Sequence, residues 1–129
     1  MTTEQLYPLV LVISQLPMSL NKLLTAHWSV RHHEKDSWAA LVRDAAIQIA
    51  VDLDVSFPAL QAGQKRMVTL SYYFKDKRRR DADNYMKVIL DALVRNGLLV
   101  DDAPEWCETT VVFHVDKKNP RTEIVLNRG

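Results

Sequence analysis

The sequence predicts a single α+β domain, in which a mixed sheet of about four strands carries two helices, mainly on one face. Three observations favour this fold. The chain has 129 residues, a length that suits one domain with a substantial core. Strand-like and helix-like runs follow one another in the order β-α-β-α-β-β. No repeat, linker or low-complexity stretch divides the sequence, so residues 1–129 are predicted to form one domain.

The first half of the chain predicts a buried strand, a loop and a helix. After a short polar lead, the run Tyr7–Leu16 is rich in Val, Ile and Leu, which favours a strand buried on both faces or nearly so. Pro17 ends this strand and opens a loop that extends to residue 33. From about Glu34 to Asp52, apolar side chains recur at steps of three and four residues, which predicts a helix lying on the sheet.

The second half predicts three strands and a second helix. Lys65–Phe74 alternates apolar and other side chains and reads as a strand that leads into a basic run. A helix is predicted from near Asp83 to Asn96, where Asn-Gly supplies a C-terminal cap. Trp106–Val115 and Arg121–Leu126 are the last two predicted strands, joined by a hairpin turn at residues 117–120.

Composition excludes several classes of protein. The net charge is only +1, so any affinity for nucleic acid must come from local patches rather than from the whole chain. Cys107 is the single cysteine, which excludes an internal disulfide framework and a cysteine-rich zinc site. The longest apolar runs fall far short of the ~20 residues of a membrane span, and no signal peptide is visible, so we expect a cytoplasmic protein without membrane contact.

The segment from Lys75 to Asp102 concentrates the charged chemistry of the chain. Two acidic pairs, Asp81 with Asp83 and Asp101 with Asp102, flank the second predicted helix. Two like charges at ~4 Å repel by roughly 4 kcal/mol at an effective dielectric constant of about 20, so converging carboxylates need cations or a metal. The cations are supplied by five of the six residues before the first pair, namely Lys75, Lys77, Arg78, Arg79 and Arg80. This combination indicates a protein that grips a polyanion and holds a divalent metal against it.

Each of these charges also has a structural interpretation. Asp81 and Asp83 could cap the helix that follows them, and the pair at residues 101–102 could belong to an ordinary turn before Ala-Pro. Lys87 lies four residues before Asp91 and could form a helical ion pair worth about 0.2–0.5 kcal/mol. The presence of the basic run and both acidic pairs together favours the functional interpretation.

The loop after the first strand has two interpretations that stay open. It carries the cations Lys22 and Arg31 and the aromatic Trp28. As a flap facing DNA, its cations would contact phosphates and Trp28 would stack on an unpaired base. As an ordinary surface loop, it would be anchored by Trp28. A histidine metal site is disfavoured, because His32 and His33 are adjacent and no helical H-x-x-x-H spacing exists.

The run RRRDADNYMKVILDAL, continued by GLLVDD, resembles the signature of the RusA family of Holliday-junction resolvases. That signature has a basic run leading into D-x-D-N, a lysine on the following helix, an L-D-A-L segment, and a D-D pair after a glycine-containing turn. The resemblance spans about 28 of the 129 residues. A weaker likeness covers Pro17–Asn21, P-M-S-L-N, which matches a loop after the first strand.

The resemblance implies a Mg²⁺-dependent homodimer, with Mn²⁺ as an alternative metal, that cuts four-way DNA junctions symmetrically in recombination and repair. It implies metal-binding carboxylates at Asp81, Asp83 and Asp102, joined by Asp101, and a supporting catalytic cation at Lys87. Two alternatives use the same residues: a nucleic-acid-binding module without catalysis, and a small metal-dependent nucleotide phosphohydrolase. The residues expected to contact DNA are Lys75, Lys77, Arg78, Arg79, Arg80, Lys22, Trp28 and Arg31.

Overall fold

The structure is a computed structural model that describes residues 2–61 and 63–129. Its centre is a four-stranded mixed sheet. The strand order is β1-β4-β2-β3, with β2 parallel to β3 and β4 antiparallel to both β1 and β2. This arrangement confirms the predicted α+β class and mixed sheet. The strands are β1 (Leu9–Ile13), β2 (Arg66–Phe74), β3 (Cys107–Val115) and β4 (Arg121–Arg128).

Helices account for more of the described residues than the sequence predicted. Two 3₁₀ turns, Phe57–Leu60 and Ala82–Tyr85, precede β2 and the last helix. The second predicted helix is therefore divided, because its first turn is 3₁₀ and its α-helical part begins only at Lys87. The α-helices are α1 (Thr3–Leu6), α2 (Leu20–Thr25), α3 (Trp28–Leu53) and α4 (Lys87–Arg95).

Helix α3 begins at Trp28 rather than near Glu34, and α2 occupies much of the remaining predicted loop. The ring of His27 accepts a hydrogen bond from the backbone N–H of Ser29 and so caps α3. The first turns of α3 expose polar side chains such as His32 and His33. Hydrophobic periodicity reports only the buried part of a helix, so it missed this solvent-facing beginning.

The predicted polar lead contains α1, which is fixed by an ion pair with the sheet. Arg66 is completely buried at the start of β2, and its Nη2 lies 2.6 Å from Oε1 of Glu4. The guanidinium also stacks over the ring of Tyr7, with Cζ 3.8 Å from the ring centroid. These contacts are between residues far apart in sequence, and no local pattern announces them.

Strand β1 has one buried and one exposed face, so the prediction of burial on both faces is wrong. Leu9 and Leu11 point into the core, whereas Val10 and Val12 are 51% and 55% exposed. β1 is an edge strand that pairs with β4. An edge strand whose outer face no helix covers keeps its apolar side chains in solvent, and its composition does not reveal this.

Strands β3 and β4 lie on opposite sides of β2, so the predicted hairpin at residues 117–120 is wrong. Within the described residues these two strands share no pairing, and their connection crosses the end of β2. There the backbone N–H of Asp116 donates to the carbonyl of Phe74 at 2.7 Å. The Asp116 carboxylate accepts from the backbone N–H groups of Lys118 and Asn119, both at 3.2 Å. Strand composition alone does not specify which strand a segment will pair with.

The core lies between the helices and one face of the sheet, as predicted. On β2 the alternating side chains Val68, Leu70 and Tyr72 are buried, so this side of the strand faces the core. The predicted apolar face of α3 is confirmed by the burial of Trp38 and Val42. The other large contributors are Ala46, Ala50, Ile89, Leu93, Leu98, Leu99, Ile124 and Leu126.

Gly97 ends α4 with the left-handed backbone (φ +72°) that the Asn-Gly cap predicted. The N–H of Leu98 donates back to the carbonyl of Leu93 at 3.0 Å, which closes the helix end. A side chain here would also meet Gln61, because an added Cβ would lie 2.7 Å from its Nε2. The turn sends the chain back toward the beginning of α4.

We expect Gly97→Ala to lower the free energy of unfolding by at least about 1–2 kcal/mol, the cost of a left-handed backbone at a residue with a Cβ. Urea denaturation of both forms measures this difference. Gly63→Ala is the matched control, since a Cβ added at Gly63 would meet nothing within 4 Å. Equal stability of the two variants would contradict the expected strain.

Candidate functional site

Asp81 follows the basic run and begins the 3₁₀ turn that precedes α4. Its backbone is extended (φ −95°, ψ 123°), and its Oδ1 accepts a hydrogen bond from the N–H of Asp83 at 3.2 Å. Asp81 therefore does serve as a cap, as its structural interpretation held, whereas Asp83 lies in the turn itself. Both side chains are exposed, so capping leaves carboxylate oxygens of the pair open to solvent and to a ligand.

Lys87 connects helix α4 to the second acidic pair. Its Nζ lies 3.1 Å from Oδ2 of Asp102 and 3.2 Å from Oδ1 of Asp91. After Gly97 the chain returns to the beginning of α4, where Asp102 contacts the first residue of that helix. The predicted helical pair of Lys87 with Asp91 also forms. Lys87 thus belongs both to a helical ion pair and to the second acidic pair.

This arrangement keeps both partners charged over a wide pH range. The hydrogen bond from Lys87 lowers the pKa of Asp102. Hydrogen bonds raise the pKa of Lys87, and the bond to Asp102 has a larger effect than the bond to Asp91. The pair therefore persists from the ordinary titration range of aspartic acid up to that of lysine, and is lost only below the lowered or above the raised pKa. Because both side chains are partly exposed, solvent screens the pair and its contribution to stability is small.

The four predicted metal ligands do not converge on one point. Over residues 2–61 and 63–129, no three His, Cys, Asp or Glu side chains are grouped closely enough to hold a metal ion. Asp81 lines one cavity, whereas Asp101 and Asp102 line another. The oxygen donors nevertheless suit Mg²⁺, which commonly binds one or two carboxylates and completes its shell with waters and substrate phosphates.

The basic run does not present all its cations equally. The Arg80 side chain is 14% exposed, and its Nη2 lies 2.9 Å from Oδ1 of Asp76. Its guanidinium also lies over the Phe74 ring, with Cζ 3.7 Å from the centroid. The Arg78 side chain, in contrast, is 78% exposed, and its Nη2 lies 3.9 Å from Oδ2 of Asp76, which is a long ion pair. Arg80 therefore shapes the loop, while Arg78 and its exposed neighbour Arg79 are available to a polyanion.

A polar groove of about 1060 Å³ separates the basic run from the segment after β1. The segment after β1 forms one wall of this groove and contributes Lys22, which the sequence assigned to DNA contact; Arg78 and Arg79 also line the groove. That wall is fixed by Glu34, whose Oε1 accepts from the backbone N–H of Met18 at 2.8 Å and from Nε1 of Trp38 at 3.1 Å. Sequence reasoning missed Glu34, because only its four-residue spacing from Trp38 hinted at the contact.

Trp28 is exposed at the first residue of α3. Its side chain is 60% exposed and contacts the rings of His27 and His32 at centroid distances of 5.7 and 5.6 Å. Trp28 therefore does not anchor this segment to the core. Arg31, one turn along the same helix, lines a small cavity that also includes Lys87.

The chain matches one family model and several named relatives. The family model described as Endodeoxyribonuclease RusA matches residues 26–127. The crossover junction endodeoxyribonuclease RusA of Escherichia coli strain K12 is 27% identical over 92 residues, which cover 71% of this chain and 67% of that protein. Proteins of the same name from the O1:K1 and CFT073 strains match with the same identity and coverage. In the described part of the chain, no helix combines the length and apolar character needed to cross a bilayer.

Proposed function

The chain belongs to the RusA endodeoxyribonuclease family, and from that premise we propose that it resolves four-way DNA junctions by metal-assisted hydrolysis of phosphodiester bonds. The observation that carries this proposal is the contact of Lys87 with both Asp102 and Asp91, on the helix that follows an exposed basic run in the sequence. Carboxylates for a metal, a lysine for the phosphate and arginines for flanking phosphates are the parts that such a reaction needs.

Asp81, Asp83 and Asp102, with Asp101, are the residues that would hold Mg²⁺, or Mn²⁺ in its place. A metal bound there would polarise the phosphate and lower the pKa of the attacking water. Support comes from the all-oxygen donor set and from the exposure of Asp81, Asp83 and Asp101. Because no three of these side chains are grouped in the described residues, one or two of them would bind a given metal ion, and substrate phosphate and water would complete its coordination shell.

Lys87 is suited to contact the reacting phosphate. A lysine ammonium has three N–H donors, and the two carboxylates in contact with Lys87 can use two of them. The third is free to donate to a phosphate oxygen as negative charge builds on it. The carboxylates at Asp91 and Asp102 hold the ammonium in place, so it need not be ordered when substrate binds.

We also propose that the protein acts as a homodimer that nicks two strands of the junction. Symmetric resolution of a four-way junction requires cuts on two opposed strands. A two-fold dimer would present two equivalent active sites to those strands. The proposed role is therefore in DNA recombination and repair, and the dimer can be tested separately by measuring the mass of the protein in solution.

The experiment that tests this function compares three substrates in Mg²⁺: a four-way junction, a linear duplex of the same sequence, and deoxynucleoside triphosphates. We expect cleavage of the junction alone. A junction that is bound but uncut at every metal concentration would instead indicate a binding module. Turnover of the nucleotides without junction cleavage would indicate a small phosphohydrolase.

Replacing both Arg78 and Arg79 by Ala is expected to weaken junction binding and to flatten its salt dependence. The slope of log K against log salt should fall by about 0.9 for each lost phosphate contact on duplex DNA. Titrations at several salt concentrations measure this slope. The matched control replaces the exposed Lys117 and Lys118, an equal loss of charge. If the arginine double variant keeps the wild-type slope, as the lysine control should, the arginines do not contact phosphates.

A further inference from the structure

Two small cavities meet at a pair of lysines on neighbouring helices. One, of about 300 Å³, contains Asp91, Asp101 and Asp102 and belongs to the proposed active site. The other, of about 250 Å³, is lined by side chains of α2 and α3. Lys35 and Lys87 line both cavities. A DNA strand that enters the first cavity would therefore meet the second cavity immediately beside it.

The second cavity, here called the cationic cavity, contains no carboxylate. Its charged side chains are Arg31, Lys35 and Lys87. In the described residues, neither Arg31 nor Lys35 has a carboxylate oxygen within 4 Å, so both are available to an anion. Cations without internal partners, beside a site that handles phosphate, fit a phosphodiester group.

The remaining wall of the cationic cavity is apolar. It is formed by three leucines of α2, of which Leu23 is buried and Leu24 is 61% exposed. The third leucine is Leu20, and His32 adds an aromatic edge. An apolar wall facing three cations matches one nucleotide of DNA, since the sugar and base offer apolar surface and the phosphate offers charge.

Helix α3 holds Lys35 in position relative to the proposed active site. Asp36, the next residue, pairs with Arg95 of α4 at 2.9 Å. Trp38, one turn further along α3, is buried in the core. Lys35 therefore projects from a segment fixed on both sides, and its position between the two cavities follows from how α3 packs on α4.

We propose that the cationic cavity binds a nucleotide one position removed from the scissile phosphate, and that Lys35 contacts the phosphate next to the scissile one along the same DNA strand. This inference rests on the proposed function. It assigns Lys35, which no feature of the sequence singled out, and gives Arg31 a defined place along the strand.

The test uses a series of junctions, each with one phosphate near the crossover replaced by a neutral methylphosphonate. Several positions should weaken binding by the wild-type protein when they are made neutral. At the position that Lys35 contacts, we expect a loss of roughly three- to fivefold, the scale of an exposed ion pair. Lys35→Ala should lose no further affinity at that position while responding normally at the others. Lys35→Arg should restore the wild-type pattern.

Lys65→Ala is the matched control, because Lys65 pairs with Glu108 and lines neither cavity. It should keep every wild-type interference position. If Lys35→Ala and the wild type share the same pattern, the inference is overturned even though the junction is bound and cut. If the wild type binds no junction, the proposed function fails and the inference fails with it.

Discussion

Asp83→Asn is expected to leave junction binding within about twofold of wild type while lowering cleavage by about 10³-fold, the scale on which loss of a transition-state contact is felt. Asparagine keeps the size of the side chain but removes the charge that would hold a metal. Asp83 is exposed, and in the described residues its carboxylate makes no hydrogen bond, so the fold should be unaffected. Single-turnover cleavage and a binding titration measure the two effects separately.

The matched control for this change is Asp52→Asn. Asp52 lies at the far end of α3, and its carboxylate accepts a hydrogen bond from Gln48 at 2.9 Å, which an asparagine can also accept. The control should cut at the wild-type rate. Wild-type cleavage by Asp83→Asn itself would remove Asp83 from the catalytic set.

Lys87→Met is expected to lower the single-turnover rate by roughly 10²–10³-fold with a much smaller loss of affinity. Methionine preserves the length and apolar stem of the side chain but removes the ammonium between Asp91 and Asp102. Those carboxylates then lose their common cation, and the phosphate loses a donor. Because the Lys87 side chain is 53% exposed, the free energy of unfolding should change little.

Lys65→Met is the control for Lys87→Met, because it removes an exposed lysine whose partner, Glu108, lies outside the proposed site. We expect it to bind and cut like the wild type. If both lysine variants cut at the wild-type rate, the Lys87 ammonium serves only its ion pairs with Asp91 and Asp102 and has no part in cleavage.

The sequence was sufficient for the fold class because burial leaves a periodic pattern. The alternation along β2 and the apolar periodicity of α3 were both predicted, and the buried side chains of both elements lie in the core. The pairing of β4 between β1 and β2 was not predictable, because a strand's composition does not name its neighbours. The beginning of α3 at Trp28 was missed because its first turns face solvent and therefore lack the regularly spaced apolar side chains that indicate a helix.

The candidate site was predicted as a set of residues but not as an arrangement. The resemblance to the RusA signature implied metal-binding roles for Asp81, Asp83 and Asp102, but not how these side chains lie relative to one another. That Arg80 is held by Asp76 and Phe74 depends on the shape of the loop, which its charge does not reveal. Lys35 is 52 positions from Lys87 in sequence, and only the packing of α3 on α4 brings both to the same cavities.

The central claim is that the acidic segment and Lys87 form a metal-dependent centre that cuts four-way junctions. Its most direct test is to incubate the wild-type protein with a junction labelled on each of its strands in turn, with and without Mg²⁺. We predict nicks at symmetry-related positions on two opposed strands, in the presence of the metal only. Cleavage that persists when the metal is chelated, or a junction that stays intact at every Mg²⁺ concentration, would contradict the claim.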